Sequence, residues 1–158
     1  MIIETKCGFD DSPGVSGAVL LEIHGPTLFV DIGFDPGYKA TAIPLTIPVS
    51  GIKSVAALVD TGASHSCIDN LLAASLSLPI IDRQPISGVA GRSMANIYLA
   101  QIHVPSLAFT INGRFAGVDL RSGGQQHEAL IGRSFLRSLR MHYDGRSGTV
   151  SLDRDSAG

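Results

Sequence analysis

The sequence predicts an all-β class fold, mainly β with two short helices. Apolar residues alternate with period two through much of the chain, the pattern of half-buried strands. Its 18 glycines and 8 prolines fall between those runs rather than in one linker. Only two short stretches carry helical spacing.

Each element follows in order. Val19, Leu21 and Ile23 alternate before His24-Gly25-Pro26, and Leu28, Val30 and Ile32 alternate after it, which predicts a hairpin with a Gly-Pro corner. Ile43, Leu45, Ile47 and Val49 form a further period-2 face, and Pro44 and Pro48 on the opposite phase mark an edge strand. Val55 to Val59 is a short apolar strand running into Asp60-Thr61-Gly62. Asp69 is placed to cap a helix over Asn70 to Leu78, which Pro79 ends. Residues 86–94, ISGVAGRSM, read as a glycine-bearing hairpin tip, with the second strand continuing to Val104. Asn112-Gly113 predicts a tight hairpin turn between Leu107–Ile111 and Phe115–Val118. The polar stretch 121–128, RSGGQQHE, reads as a loop. Ala129 to Gly132 is apolar and precedes a second helix over Arg133 to Leu139, and a hairpin over residues 141–152 closes the chain.

Composition bounds the function. A length of 158 residues suits one domain, and 44% hydrophobic residues supply a core. Only 16% of residues are charged, against roughly 25% in ordinary soluble chains, so some apolar surface is expected to be covered by a partner or a second copy. A net charge of −2 with no basic run argues against nucleic acid as a partner. No segment approaches the ~20 apolar residues of a membrane helix. The first residues, MIIETKCGFDD, lack the basic start and apolar stretch of a signal peptide. Cys7 and Cys67 form neither a CxxC pair nor a disulfide framework. A soluble cytoplasmic domain is expected.

Chemistry is concentrated in residues 57–64, ALVDTGAS. Asp60 ends an apolar strand and so stands partly out of water. Thr61 offers a hydroxyl that can brace the turn, and Gly62 lets the backbone bring an N–H close to the carboxylate. Asp-Thr-Gly alone is as readily an ordinary strand-end turn. Three features favour function: the apolar strand before it, the glycine-bearing hairpin after it, and Ala129-Leu130-Ile131-Gly132 ahead of a helix.

On these residues the chain resembles the retropepsin-like aspartic proteases, the single-domain retroviral type with its cellular and bacterial relatives. The resemblance spans roughly residues 43–153 and rests on ALVDTGAS, on ISGVAGRSM and on ALIGRSFL. It implies a closed β-barrel with a flap hairpin and an active site on a homodimer axis. Asp60 is then the catalytic aspartate, supported by Thr61 and Gly62. Ala63 and Ser64, with Gly88, Val89, Ala90 and Gly91 at the flap tip, contact substrate, and Gly132 packs beneath the loop. A single carboxylate cannot be both acid and base, so two Asp60 side chains meet on the dimer axis and share a proton. The substrate is a peptide or protein, and neither metal nor other cofactor is required. Residues 1–42 are expected to be an N-terminal β-hairpin extension of this single domain.

One position departs from the retroviral pattern, which has Asp after DTGA where this chain has Ser64. Arg133 therefore needs another partner, either Asp69 or a carbonyl. Asp31 does not serve as a second catalytic aspartate: Ile32 follows it in place of a hydroxyl, and it reads as a hairpin-end residue. The five histidines show no metal-ligand spacing, and His65 and Cys67 lack a third ligand. No serine-hydrolase elbow or nucleotide-binding loop occurs. Ile81, Ile86, Val89 and Ile131 are candidate lining for apolar substrate pockets, or simply core. The alternative function is a dimeric peptide-binding or scaffold domain that keeps the fold without efficient cleavage.

Overall fold

The computed structural model of the chain describes residues 1–37, 51–88 and 91–156. The expected edge strand over residues 43–49, and Val89 and Ala90, lie outside the described residues. Two sheets account for most of the rest. The small one is antiparallel, with β1 (Ile2–Lys6) on β10 (Thr149–Asp155) and β10 on β9 (Arg140–Asp144).

The large sheet runs β2 (Thr27–Gly33), β3 (Gly51–Val59), β8 (Ala129–Ile131), β4 (Cys67–Asp69), β7 (Phe109–Val118), β6 (Gly91–Val104), β5 (Ile80–Gly88). It closes because β2 also pairs with β6, Ile32 opposite Ile102, past a bulge between Val30 and Ile32. A bulge sharpens strand twist and so lets one strand serve two neighbours. Six strands thus form a barrel, and β5 hangs from β6 as a hairpin. Strand alternation fills the barrel with side chains: Leu28, Val30 and Ile32 from β2, Val55, Ala57 and Val59 from β3, and Ala100, Ile102 and Val104 from β6 are all buried. Each fully buried Val, Leu or Ile contributes about 1.5–3 kcal/mol.

Two pairings in this otherwise antiparallel barrel are parallel. Ala57–Val59 of β3 run alongside Ala129–Ile131 of β8, and Cys67–Asp69 of β4 alongside Ala116–Val118 of β7. The small sheet is fastened to the barrel through the turn at residues 105–108. The Thr5 hydroxyl donates to Ser106 Oγ (2.7 Å), and Arg154 donates to the carbonyls of Leu107 (2.8 Å) and Ala108 (2.9 Å).

Among the described residues there are three α-helices rather than two. The added one, α1 (Gly17–His24), replaces the first half of the expected N-terminal hairpin. Ser16 Oγ caps it by accepting from Val19 N, and Gly25 at φ 71° ends it with its N–H on Leu21 O. Leu21 is buried while Val19 and Ile23 are exposed, so the alternation of these three residues did not mark a buried strand face. Gly17 and Gly148 (φ 79°) lie backbone to backbone, and a Cβ on either would strike main chain. The second half of the expected hairpin is β2, which is a stave of the barrel and not an added flap. Asp31 sits inside β2 at the bulge, accepting from Ser54 N (3.1 Å), instead of ending a hairpin.

The second correction concerns Asn112-Gly113. Both residues continue through β7, opposite Gln101 and Ala100 of β6, and neither has positive φ. The reversal comes earlier, at a 3-10 turn over Pro105–Leu107, with Ala108 left-handed at φ 45°. The long partner strand β6 outweighs a local turn preference here. The helices at α2 (Asn70–Ser75) and α3 (Arg133–Leu136) stand where expected, each shorter at its C-terminal end. Among the described residues no helix is long and apolar enough to cross a membrane.

His127, just before β8, is buried, with Nε2 2.9 Å from Thr27 Oγ1. Since the Thr27 hydroxyl donates to Gly25 O (3.1 Å), Nε2 carries the proton of this contact. Burial first, and then the neighbouring His24, hold the His127 pKa below its ordinary 6.5. The unfolded chain therefore takes up a proton near pH 6.5 that the folded chain still refuses. Stability from this group is complete above pH 6.5 and is lost as pH falls through the lower folded pKa. The urea midpoint of the native chain should drop more between pH 7.5 and 5 than that of His127→Gln; equal drops would exclude this role.

Candidate active site

The site begins where β3 ends. The buried face of β3 carries the chain through Val59, and Asp60 N–H donates to Ile131 O (2.9 Å) at the end of β8. This places Asp60 at the barrel rim, half-buried. Gly62 N–H donates to Asp60 Oδ1 (2.9 Å), and Ala63 N–H to Asp60 O (3.3 Å), closing the turn. A Cβ on Gly62 would lie 3.1 Å from that carboxylate oxygen, so the small residue keeps the N–H approach open.

The loop is then fastened from below. Arg133 N–H donates to Ala63 O (2.9 Å), Ser134 N–H to Ser64 O (3.0 Å), and Gly132 N–H to the buried Ser66 Oγ (3.0 Å). These donors are the first N–H groups of α3 and the residue before it, which have no partners within the helix. On the other side Ala116 N–H of β7 donates to Ser66 O (3.2 Å). Gly132 is confined: a Cβ there would stand 2.5 Å from His65 O and 3.0 Å from Ala63 O.

Arg133 finds its partner in a carbonyl, donating through Nη1 to Thr61 O (2.7 Å). Ser64 turns away, its Oγ 3.1 Å from His65 Nδ1. Asp69 is committed elsewhere. Only 2% exposed, it caps α2 at Leu72 N (3.3 Å) and accepts from Leu120 N (2.9 Å) and Arg121 N (3.1 Å). The Thr61 side chain is exposed and, among the described residues, its hydroxyl has no hydrogen bond within the chain.

A cleft of about 630 Å³ lies between this loop and the β5–β6 hairpin. Gly62, Ala63, Ser64, His65 and Cys67 form one wall, and Gln84, Pro85, Ile86 and Ser87 of β5 form the other. Ile97 and Ala116, which face each other across β6 and β7 with Ala116 also beside Cys67, make the floor. Gly88 and Gly91 pair at the end of the hairpin and stand beyond the residues that line the cleft. Of the isoleucines expected to line pockets, Ile86 does so, Ile131 is core, and Ile81 lies on the surface.

Burial, and secondly the nearby charge of Asp60, push the Cys67 thiol up to about 11. It is therefore a neutral thiol at physiological pH and no nucleophile. Nor does the Ser64–His65 contact make a hydrolytic pair, since among the described residues no carboxylate hydrogen-bonds to His65. Among the described residues no group of three His, Cys, Asp or Glu side chains is placed to hold a metal ion. Asp60 is the carboxylate that this loop presents.

Two site features were not visible in the sequence. Arg114 of β7 lines the cleft and bridges to Asp82 of β5 (3.0 Å), a pairing that only the strand register reveals. Ser66 holds Gly132 N–H, and nothing in its neighbourhood marked it.

Fold and site together describe a carboxylate-bearing loop under a β hairpin. A family model for aspartyl protease matches residues 43–135, more than half of the chain. The chain belongs to the aspartyl protease family. No curated protein matches it. Among solved structures it is similar to EIAV protease complexed with the inhibitor HBY-793, at 19% identity and a TM-score of 0.47, over 71% of this chain and 85% of that one.

Replacing Gly132 by Ala should destabilise the chain by about 1–3 kcal/mol, because the Cβ meets main-chain oxygens that cannot swing aside. Chemical denaturation measures this; an unchanged midpoint would show that the loop and α3 are not held as described.

Proposed function

We propose that the chain is an aspartic endopeptidase that acts as a homodimer, with Asp60 of each copy facing the other across a two-fold axis. The observation that carries this reading is the position of Asp60 in a chain of the aspartyl protease family. It ends β3, fixed by Ile131 O and Gly62 N–H, on the loop whose next residues, Gly62 to His65, wall the cleft under the β5–β6 hairpin. Gly62 N–H on one oxygen leaves the other to act on water.

The chemistry explains why a second copy is needed. Peptide hydrolysis through water requires a base to take the water's proton and an acid to protonate the carbonyl oxygen. Two carboxylates sharing one proton supply both, because like charges at close range do not both ionise. The ionised carboxylate accepts the proton as water attacks the carbonyl carbon. The protonated one donates to the oxygen, and the tetrahedral species collapses as the amine nitrogen is protonated. This route uses neither metal nor other cofactor. The exposed Thr61 hydroxyl, with no partner in its own chain among the described residues, is suited to bond its counterpart at the axis.

Thr61, Gly62, Ala63 and Ser64 support the carboxylate and border the substrate, and the hairpin ending at Gly88, Val89, Ala90 and Gly91 covers it. The unpaired Cys7 and Cys67 fit a reducing, cytoplasmic setting. A dimeric binding domain without efficient cleavage is the competing reading.

Digestion of a peptide mixture between about pH 4 and 7, read by mass spectrometry, tests the proposal. The native chain should run as a dimer at micromolar concentration and cleave. Asp60→Asn should stay folded and dimeric while losing cleavage by about 10²–10⁴-fold or more. Cleavage that persists in the variant would place the reaction elsewhere, and none from a folded native dimer would favour the binding domain.

A further inference from the structure

Among the described residues that line the cleft, Arg114 alone carries a fixed charge. It stands on β7 two residues from Ala116, so the two side chains share one face, about 7 Å apart along the strand. Ala116 is the floor residue, between Cys67 of β4 and Ile97 of β6. Asp82 is opposite Ile97 on β5. A row across four strands therefore carries an apolar floor, and one side-chain step along it is a guanidinium.

That guanidinium is only lightly engaged. Arg114 donates through Nη2 alone to Asp82 Oδ2 (3.0 Å), and among the described residues it has no other hydrogen bond. Four of its five N–H groups remain for another acceptor. Asp82 does not depend on it. Its Oδ2 also accepts from Gln84 Nε2 (2.9 Å) and its Oδ1 from Arg83 N (2.8 Å). The Gln84 amide, then the Arg83 N–H and only afterwards Arg114, hold the Asp82 carboxyl below its ordinary range. Both side chains are largely exposed, 56% and 42%, and an ion pair of that kind holds its partners weakly.

We propose that Arg114 is a specificity determinant of the cleft, which selects a substrate carrying Asp or Glu two positions along from the residue that packs on Cys67, Ala116 and Ile97. An extended peptide places same-face side chains about 7 Å apart, the spacing from Ala116 to Arg114. A carboxylate there meets the free edge of the guanidinium, and a Lys or Arg meets a like charge. Asp82 is the resident competitor: it keeps Arg114 over the cleft and sets the threshold a substrate carboxylate must exceed. This inference rests on the endopeptidase reading for its substrate class, and its test separates the two.

A randomised dodecapeptide mixture is digested by the native chain, Arg114→Gln and Asp82→Asn. Matched peptides with Glu, Gln or Lys at the selected position are then compared. The native chain should prefer Glu to Gln by about tenfold, as a charge-assisted hydrogen bond allows. Arg114→Gln should bring that ratio close to one, and Asp82→Asn, which removes the competitor, should raise it a further few-fold, roughly the worth of an exposed ion pair. A pair that serves only to clip β5 to β7 would make both variants lose turnover alike with the Glu:Gln ratio unmoved, and that outcome overturns the inference. Cleavage that depends on Asp60 but shows no acidic preference overturns it while the endopeptidase reading stands. If no peptide is cleaved, selection of the same mixture by binding decides. Acidic enrichment on the native chain that disappears in Arg114→Gln supports the inference without the catalysis, and no enrichment removes both.

Discussion

Everything at the candidate site depends on the hydrogen bonds between the loop of residues 60–66 and the backbone around Gly132. Ile131 O takes Asp60 N–H, and Gly132, Arg133 and Ser134 return three N–H groups to the far side of the same loop. A loop that carries a half-buried carboxylate is held on two sides, mainly by main chain, with Ser66 Oγ and the Arg133 guanidinium adding one bond each. That explains why the residue between must be glycine: with a Cβ at position 132 the two backbones could not come within bonding distance. The carboxylate itself is met by one backbone donor, Gly62 N–H.

The cleft adds a second level. Its floor is built from three strands in register, with Ile97 and Ala116 buried. Its upper wall is a hairpin attached to the barrel along one edge only, with β5 bonded to β6 and otherwise exposed. The contact between Asp82 and Arg114 is where that wall meets the floor through side chains. The loop is thus bonded on two sides, whereas the hairpin above it is bonded on one.

The strand pattern and the Asp-Thr-Gly loop were legible in the sequence because they are local. Apolar alternation into Asp60, the Asp69 cap, the hairpin about Gly88 and Gly91, and the Ala129–Gly132 segment each reflect residues close in the chain. The misreadings came where tertiary context decides. Val19, Leu21 and Ile23 alternate like a strand, but Ser16 and Gly25 cap a helix in which Leu21 alone of the three faces the core. Asn112-Gly113 has the composition of a tight turn, yet β6 offers a continuous partner and the backbone stays extended. That β2 closes the barrel depends on pairing with β6, which no neighbour of Thr27 or Gly33 announces. Arg133 took the carbonyl of the two partners expected for it, because Asp69 is occupied by backbone donors. Arg114 took Asp82 because side-chain partners across strands are set by register, and register is not a local property.

The two parallel pairings have a consequence in time as well as in space. Parallel neighbours cannot be joined by a tight turn, and here Ala57 meets Ala129, and Cys67 meets Ala116, across long stretches of intervening chain. Closing such loops costs chain entropy before any of the bonds that reward it exist. The antiparallel hairpins, β5 with β6 and β9 with β10, are free of that cost. The Asp60 loop rests on the end of β8 and on α3 behind it, so its shape depends on pairings between distant parts of the chain. The residues of the Asp-Thr-Gly turn are local, but the geometry that holds them belongs to the closed barrel, and a chain that loses the β3–β8 pairing keeps the turn's sequence without its support.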